Sequence, residues 1–74
     1  MAEPVDFALR GDFITLAALL KAAGLAGSGG EAKTLATGGD VLVNGEHENR
    51  RGRKLRAGDE VAVGGHLIRI RAGA

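Results

Sequence analysis

The chain has 74 residues, with ten Lys or Arg against nine Asp or Glu, and it contains no Cys, Trp or Tyr. A chain this short forms one small domain, which leaves little room for an enclosed substrate pocket beside the core. The lack of Cys excludes a disulfide scaffold and a thiolate metal site. No stretch has the pattern of a signal peptide or the apolar length of a membrane span, so we expect a soluble, cytoplasmic protein with no membrane partner.

The first predicted elements are a short edge strand and a helix. The strand is VDFAL, residues 5–9, and the helix is LAALLKAA, residues 16–23. Thr15 is a suitable N-cap, and Gly24 ends the helix at a position where a left-handed conformation is common. Four apolar residues recur at the spacing of one helical face: Leu16, Leu19, Leu20 and Ala23. This face is expected to join the core.

A second helix is predicted from Gly29 to Thr37, and two glycines end it. Ser28 and, three residues later, Glu31 form a capping-box pattern, in which each side chain accepts a hydrogen bond from an amide at the helix start. The face expected to be buried contains Ala32, Leu35 and Ala36. Because only a few residues separate the two helices, they should pack as a compact pair.

After the second helix the pattern changes to the alternation of strands. Val41–Val43 and residues 46–48 are predicted to pair around the dipeptide Asn44-Gly45. This dipeptide is a strong short-range signal for a β-hairpin, since both residues tolerate positive φ.

Two further strands complete the predicted sheet. The first contains Val61 and Val63, and the last is HLIRIR, residues 66–71, after a Gly-Gly turn. Arg69 and Arg71 alternate with apolar residues, so they either extend a basic surface or keep an edge strand soluble. A helix pair followed by a small antiparallel sheet makes an α+β domain.

Residues 50–56, RRGRKLR, hold five of the ten basic residues and no acidic one. We call them the basic segment. Without those five residues the chain has five basic residues against nine acidic ones, a formal charge of −4. Such segregation favours a polyanionic partner, although a solvated loop would have the same composition.

The motifs GDVLVNG, residues 39–45, and LRAGDEV, residues 55–61, follow the helix pair, and the second overlaps the end of the basic segment. In this order they resemble the S-four RNA-binding domain, also called the αL motif, and in particular its small stand-alone bacterial members. The resemblance covers residues 14–63, with residues 64–74 as the final strand and tail of one domain. It implies RNA binding through the helix pair and the adjoining basic loop. We expect a non-catalytic protein with no cofactor.

Charge and resemblance together predict RNA contacts at eight positions. Five lie in the basic segment and three on the helix pair: Arg50, Arg51, Arg53, Lys54, Arg56, Lys21, Ser28 and Lys33. The cations would bind phosphates, with an affinity that falls as the salt concentration rises. Because the candidate region has no aromatic platform for stacking bases, we expect a structured RNA read through its backbone and shape, either ribosomal or transfer RNA.

An alternative is a protein-interaction adaptor on the ribosome or another ribonucleoprotein, in which RNA binding is absent or secondary. Many members of the family have Arg at the starts of both helices, where this chain has Ile14-Thr15 and Ser28-Gly29, and this difference favours the adaptor. The two histidines lack the spacing of a metal site, and no motif of a catalytic triad is present, so neither metal ligands nor catalytic residues are predicted. In either role we expect a monomer.

Overall fold

Two helices and seven strands make up the fold in the computed structural model, which describes residues 4–73. This composition confirms the predicted α+β class. In chain order the elements are β1 Pro4–Leu9, β2 Ile14–Thr15, α1 Leu16–Ala22, α2 Gly29–Thr37, β3 Val41–Val43, β4 Glu46–His47, β5 Lys54–Leu55, β6 Glu60–Val63 and β7 His66–Ala72. Within residues 4–73 neither helix is long and apolar enough to cross a lipid bilayer.

Five strands form one sheet in the order β1-β7-β6-β3-β4. The strands β3, β4, β6 and β7 pair antiparallel, as predicted, but β1 pairs with β7 in parallel, so that Phe7 lies opposite Ile70. Parallel neighbours need a long crossover connection rather than a hairpin. Here the whole of the intervening chain makes that connection, and no local sequence signal reports it.

The last strand is internal, because β7 lies between β1 and β6. The alternative that Arg69 and Arg71 keep an edge strand soluble is therefore wrong. Arg69 Nε lies 3.0 Å from Glu60 Oε2, and Arg71 Nε lies 3.1 Å from Asp6 Oδ1. Each guanidinium is matched by a carboxylate on a neighbouring strand, which is a favourable cross-strand arrangement. We call these four residues the paired face.

Gly24 ends α1 as predicted, and this helix end has the geometry of a Schellman motif. Gly24 has a φ of +80°, its amide donates to the carbonyl of Lys21 at 3.1 Å, and the amide of Leu25 donates to the carbonyl of Leu20 at 3.0 Å. These two bonds satisfy carbonyls that a helix end otherwise leaves unpaired. The chain is thereby turned toward α2 within a few residues, and the two helices pack against each other as predicted.

The second helix has the predicted bounds and a modified cap. Ser28 Oγ accepts from the Glu31 amide at 3.2 Å, as in a capping box. The carboxylate of Glu31 instead accepts from the amide of Gly27, one residue earlier than the pattern implies, at 2.8 Å. The cap therefore also holds the connection between the helices.

The hairpin after α2 forms around the predicted turn. Asn44 and Gly45 have φ values of +52° and +85°, the positive angles of a type I′ turn. The second strand of the hairpin, β4, ends at His47, but the amide of Glu48 still donates to the carbonyl of Val41 at 2.9 Å. The backbone of Glu48 is therefore held beside the sheet by this hydrogen bond.

One apolar core joins the helix pair to the sheet. The predicted residues Ala32 and Ala36 are buried, whereas Leu35 is half-buried at the rim. The buried apolar residues are Leu9, Leu16, Leu19, Leu20, Ala26, Ala32, Ala36, Val41, Val43, Leu55, Val61, Val63, Ile68 and Ile70. Leu55 is the only member that belongs to the basic segment, so the core reaches that segment through one side chain.

Candidate nucleic-acid interface

The basic segment is fixed to the start of the first helix. Its strand β5 pairs antiparallel with β2, with Ile14 opposite Leu55 and Thr15 opposite Lys54. Leu55 has no exposed surface and anchors this ladder in the core. The segment is therefore an exposed turn and short strand whose backbone is attached to β2 and to the core.

The first turn of α1 is hydrogen-bonded to the backbone of the basic segment. The amide of Leu16 donates to the carbonyl of Arg53 at 2.9 Å, and the amide of Ala17 donates to the carbonyl of Arg51 at 3.0 Å. The first amides of a helix have no partner within the helix and must find one elsewhere. Here the basic segment supplies it, so the backbone positions of Arg51 and Arg53 are set by the helix.

A nearly buried carboxylate lies behind the basic segment. Glu48 is 7% exposed, and its two oxygens accept three side-chain hydrogen bonds: from Arg50 Nε at 2.9 Å, from Arg50 Nη2 at 3.0 Å and from Arg53 Nη1 at 2.7 Å. The Arg50 guanidinium, and next the Arg53 guanidinium, hold the pKa of Glu48 far below its usual range. We call Glu48, Arg50 and Arg53 the Glu48 clamp.

The Glu48 clamp changes both the charge and the geometry of the basic segment. One carboxylate compensates two guanidiniums, so the five cations of the segment together with Glu48 carry a formal charge of +4. Two-point bonds between Arg and a carboxylate restrict the guanidinium more than a single contact does. The clamp therefore lowers the charge by one, and it holds the Arg50 guanidinium by two hydrogen bonds and the Arg53 guanidinium by one.

An open cleft lies on the outer side of the basic segment. It has a volume of about 490 Å³ and is lined by Arg50, Gly52, Arg53 and Lys54. Arg51 is exposed beside it, and its backbone is held by α1. Three of the predicted RNA contacts thus meet around one cleft, and each carries a positive charge.

Arg56 lies at the structural end of the segment. Its amide donates to Asp59 Oδ2 at 2.8 Å, while Asn44 Nδ2 donates to Asp59 Oδ1 at 3.0 Å and Asn44 Oδ1 accepts from the Glu60 amide at 2.9 Å. Partial burial acts to raise the pKa of Asp59, but the bonds from Arg56 and Asn44 outweigh it and the pKa is lowered. The two motifs on which the family resemblance was based, residues 39–45 and 55–61, are therefore hydrogen-bonded to each other.

An aromatic ring lies beside the cleft, contrary to the expectation from the sequence. Phe13 is 42% exposed, and the ammonium of Lys54 lies 4.8 Å from the centre of its ring. This distance is within the range of a cation–π interaction. The sequence did not suggest this contact because the pairing of β2 with β5 alone brings the two residues together.

The predicted contacts on the helix pair do not line the cleft. Lys21 and Lys33 are exposed on α1 and α2, and the hydroxyl of Ser28 caps α2. Their role in RNA binding stays a prediction. His47 and His66 are exposed at separate strands, and residues 4–73 contain no cluster of three His, Cys, Asp or Glu suited to a metal ion.

The helix pair with its attached basic segment, and the two motifs that contact each other, are the features by which the sequence resembles the S-four domain. A family model of the S4 domain matches residues 7–71, and the chain belongs to that family, as the motifs indicated. The match takes in half of β1 and most of β7, beyond the residues that the motifs covered.

Among curated proteins the chain is similar to the probable ribosome maturation protein RlbA of Bacillus subtilis (strain 168). The two are 46% identical over 65 residues, which span 88% of this chain and 89% of the relative. The likeness therefore extends over nearly the whole length of both proteins.

Proposed function

We propose that this protein is a non-catalytic RNA-binding protein that contacts the phosphate backbone of structured RNA through its basic segment. The observation that carries the proposal is the cleft lined by Arg50, Arg53 and Lys54 on a backbone held by α1 and the core. Membership of the S4 domain family supports it. Cations in fixed positions bind a polyanion without first losing the freedom of a flexible loop.

The Glu48 clamp leaves donors for phosphate. A guanidinium has five N–H donors, of which Glu48 takes two from Arg50 and one from Arg53. The remaining donors can form the bidentate phosphate contacts for which Arg is suited. Arg51, Lys54 and Arg56 would add contacts along the same strand of RNA, with Lys21, Lys33 and Ser28 as a second contact area on the helices.

The target we favour is ribosomal RNA, and the place of action is the cytoplasm. A relative of nearly the same length is described as a probable ribosome maturation protein, which supports ribosomal over transfer RNA. A chain of this size would act as a monomeric module on an RNA or on an assembling ribosomal particle.

The test compares two double variants of equal charge. Arg51→Gln/Lys54→Gln removes two cations from the basic segment and leaves the Glu48 clamp intact. Arg69→Gln/Arg71→Gln removes two cations from the paired face. RNA affinity is measured by fluorescence titration with a ribosomal stem-loop at several salt concentrations. We expect the first variant to bind more weakly and to flatten the log–log salt slope by about 1.8, while the second binds like the parent.

Two results would contradict the proposal. If the parent binds no stem-loop even at low salt, RNA binding itself is wrong. If both double variants weaken binding equally, net charge rather than the basic segment determines the affinity.

The second candidate is an adaptor that binds a protein of a ribonucleoprotein. The observation that favours it is an apolar surface at the helix pair, where the half-buried Leu25 and Leu35 line two adjoining open depressions. Pull-down from lysate before and after nuclease treatment separates the two functions. An adaptor keeps its partner after the RNA is digested, whereas an RNA-binding protein loses it.

A further inference from the structure

Phe13 is exposed where most large apolar residues of this protein are buried. Among residues 4–73 the exposed large apolar side chains are Val5 and Phe13, at 48% and 42%. The other aromatic residue, Phe7, is half-buried against the core. Exposed aromatic rings are enriched at binding surfaces because they offer a large apolar face with little loss of side-chain freedom.

The backbone around Phe13 is held along the basic segment on both sides. Before it, the carbonyl of Asp12 accepts from Arg56 Nη1 at 3.4 Å. After it, Ile14 pairs with Leu55, and the amide of Leu16 donates to the carbonyl of Arg53. The backbone on both sides of the ring is therefore attached to the basic segment.

The surroundings of the ring select the kind of ligand. Lys54 contacts the ring at 4.8 Å and also lines the cationic cleft with Arg50 and Arg53. An apolar peptide would leave Lys54 and the surplus positive charge of the Glu48 clamp without a counter-charge. A nucleotide has a flat base for the ring and a phosphate for the cations, so its chemistry matches both halves of the surface.

We propose that Phe13 is a stacking site for one unpaired RNA base, whose flanking phosphate lies in the cleft lined by Arg50, Arg53 and Lys54. This inference rests on the proposed RNA binding and narrows its target. A base within a continuous duplex cannot present its face, whereas an extruded base in a bulge or loop can. One ring can stack one base, so the preferred RNA is a duplex with a single unpaired nucleotide beside it.

The experiment uses two RNA stem-loops that differ only by one bulged adenine, replaced by 2-aminopurine for fluorescence. The full-length parent is compared with Phe13→Leu, which keeps an apolar side chain without a ring, and with Phe13→Tyr, which keeps the ring. Circular dichroism and thermal unfolding establish that each variant is folded under the binding conditions.

We expect the parent to bind the bulged stem-loop at least about fivefold more tightly than the continuous one, from the typical contribution of one stacked base. Phe13→Leu should lose this preference and still bind the continuous stem-loop like the parent. Phe13→Tyr should retain the preference. The fluorescence of 2-aminopurine should be quenched by the parent and by Phe13→Tyr but not by Phe13→Leu.

The outcomes separate this inference from the proposed function. Salt-dependent binding of both stem-loops with equal affinity by parent and Phe13→Leu overturns the stacking site and leaves RNA binding in place. Unchanged fluorescence of 2-aminopurine on saturation with the parent also overturns it. If neither stem-loop binds at low salt, the proposed function fails and the stacking site fails with it.

Discussion

Two sets of arginines in this molecule differ in how their charge is balanced. On the paired face, Arg69 and Arg71 each have a carboxylate of their own on a neighbouring strand, at 3.0 and 3.1 Å. In the basic segment, Arg50 and Arg53 share the single carboxylate of Glu48. The paired face is therefore neutral, whereas the basic segment keeps a surplus of positive charge.

The comparison shows that the position of carboxylates in space decides which basic residues can attract a polyanion. Within residues 4–73 no carboxylate lies within salt-bridge distance of Arg51, Lys54 or Arg56. Those three cations and the surplus charge of the Glu48 clamp act together over a short distance. Four variants test this contrast, and we take them from the largest expected effect on stability to the smallest.

The largest effect is expected where the basic segment enters the core. Leu55→Ala empties a fully buried site and should lower the free energy of unfolding by about 2–5 kcal/mol. Leu25→Ala, at a half-buried position, is the control and should lower the free energy of unfolding by a smaller amount. Urea denaturation measures both, and Leu55→Val provides a milder variant if Leu55→Ala does not fold. Equal losses at the two sites would mean that hydrogen bonds, and not the core, hold the basic segment.

The next effect is expected at the joint between the hairpin and the basic segment. Asn44→Ala removes two hydrogen bonds, to Asp59 and Glu60, and forces Ala into a positive φ of 52°. Each hydrogen bond removed costs about 0.5–1.5 kcal/mol, and the positive φ adds about 1 kcal/mol. Asn44→Gly is the matched variant, since it removes the same bonds without steric strain. Thermal unfolding should rank parent, Gly and Ala in falling order, and equal values for Gly and Ala would contradict a contribution from φ.

Much of the fold could be predicted because its signals are local. The caps at Thr15 and Ser28, the stop at Gly24 and the turn at Asn44-Gly45 each act within a few residues, and each forms where the pattern indicated. The pairing of β1 with β7 and of β2 with β5 joins residues distant in sequence. Two-residue strands have no measurable period, and the direction of an edge strand depends on where the rest of the chain leaves room.

The candidate site could be predicted in its charges but not in its neighbours. The composition of residues 50–56 alone indicated the cations. Glu48 lies just before that window, and an acidic residue two positions before one Arg and five before another was the available signal for the clamp. Phe13 offered no such signal, because its place beside Lys54 follows from the β2–β5 ladder.

The third effect concerns the Glu48 clamp and depends on pH. The pKa of Glu48 is lowered in the folded protein. The ionised carboxylate therefore stabilises the fold above its unfolded pKa of about 4.3, and this stabilisation is lost as the pH falls toward the folded pKa. Glu48→Gln should therefore unfold at a lower temperature than the parent at pH 7. The difference in unfolding temperature between the two proteins should narrow steadily below about pH 4.3.

Circular dichroism melts of parent and Glu48→Gln across this pH range make the measurement. Glu46→Gln, at an exposed position on the same hairpin, is the control and should show little gap at any pH. A gap for Glu48→Gln that stays constant down to about pH 3, well below the unfolded pKa, would mean that the ionised carboxylate does not stabilise the clamp.

The smallest effect is expected on the paired face. Exposed ion pairs of this kind contribute about 0–1 kcal/mol each and are screened by salt. Arg69→Gln/Arg71→Gln should therefore change the free energy of unfolding by at most about 2 kcal/mol at low salt and by less at high salt. Urea denaturation at two salt concentrations measures this change. Because the variant leaves Glu60 and Asp6 without counter-charges on the sheet, a polyanion bound there would be repelled, whereas one bound at the basic segment should be affected less. Unchanged RNA affinity together with a small, salt-sensitive loss of stability would confirm that the two sets of arginines serve different purposes, whereas a loss of affinity larger than that of Arg51→Gln/Lys54→Gln would place the RNA on the sheet.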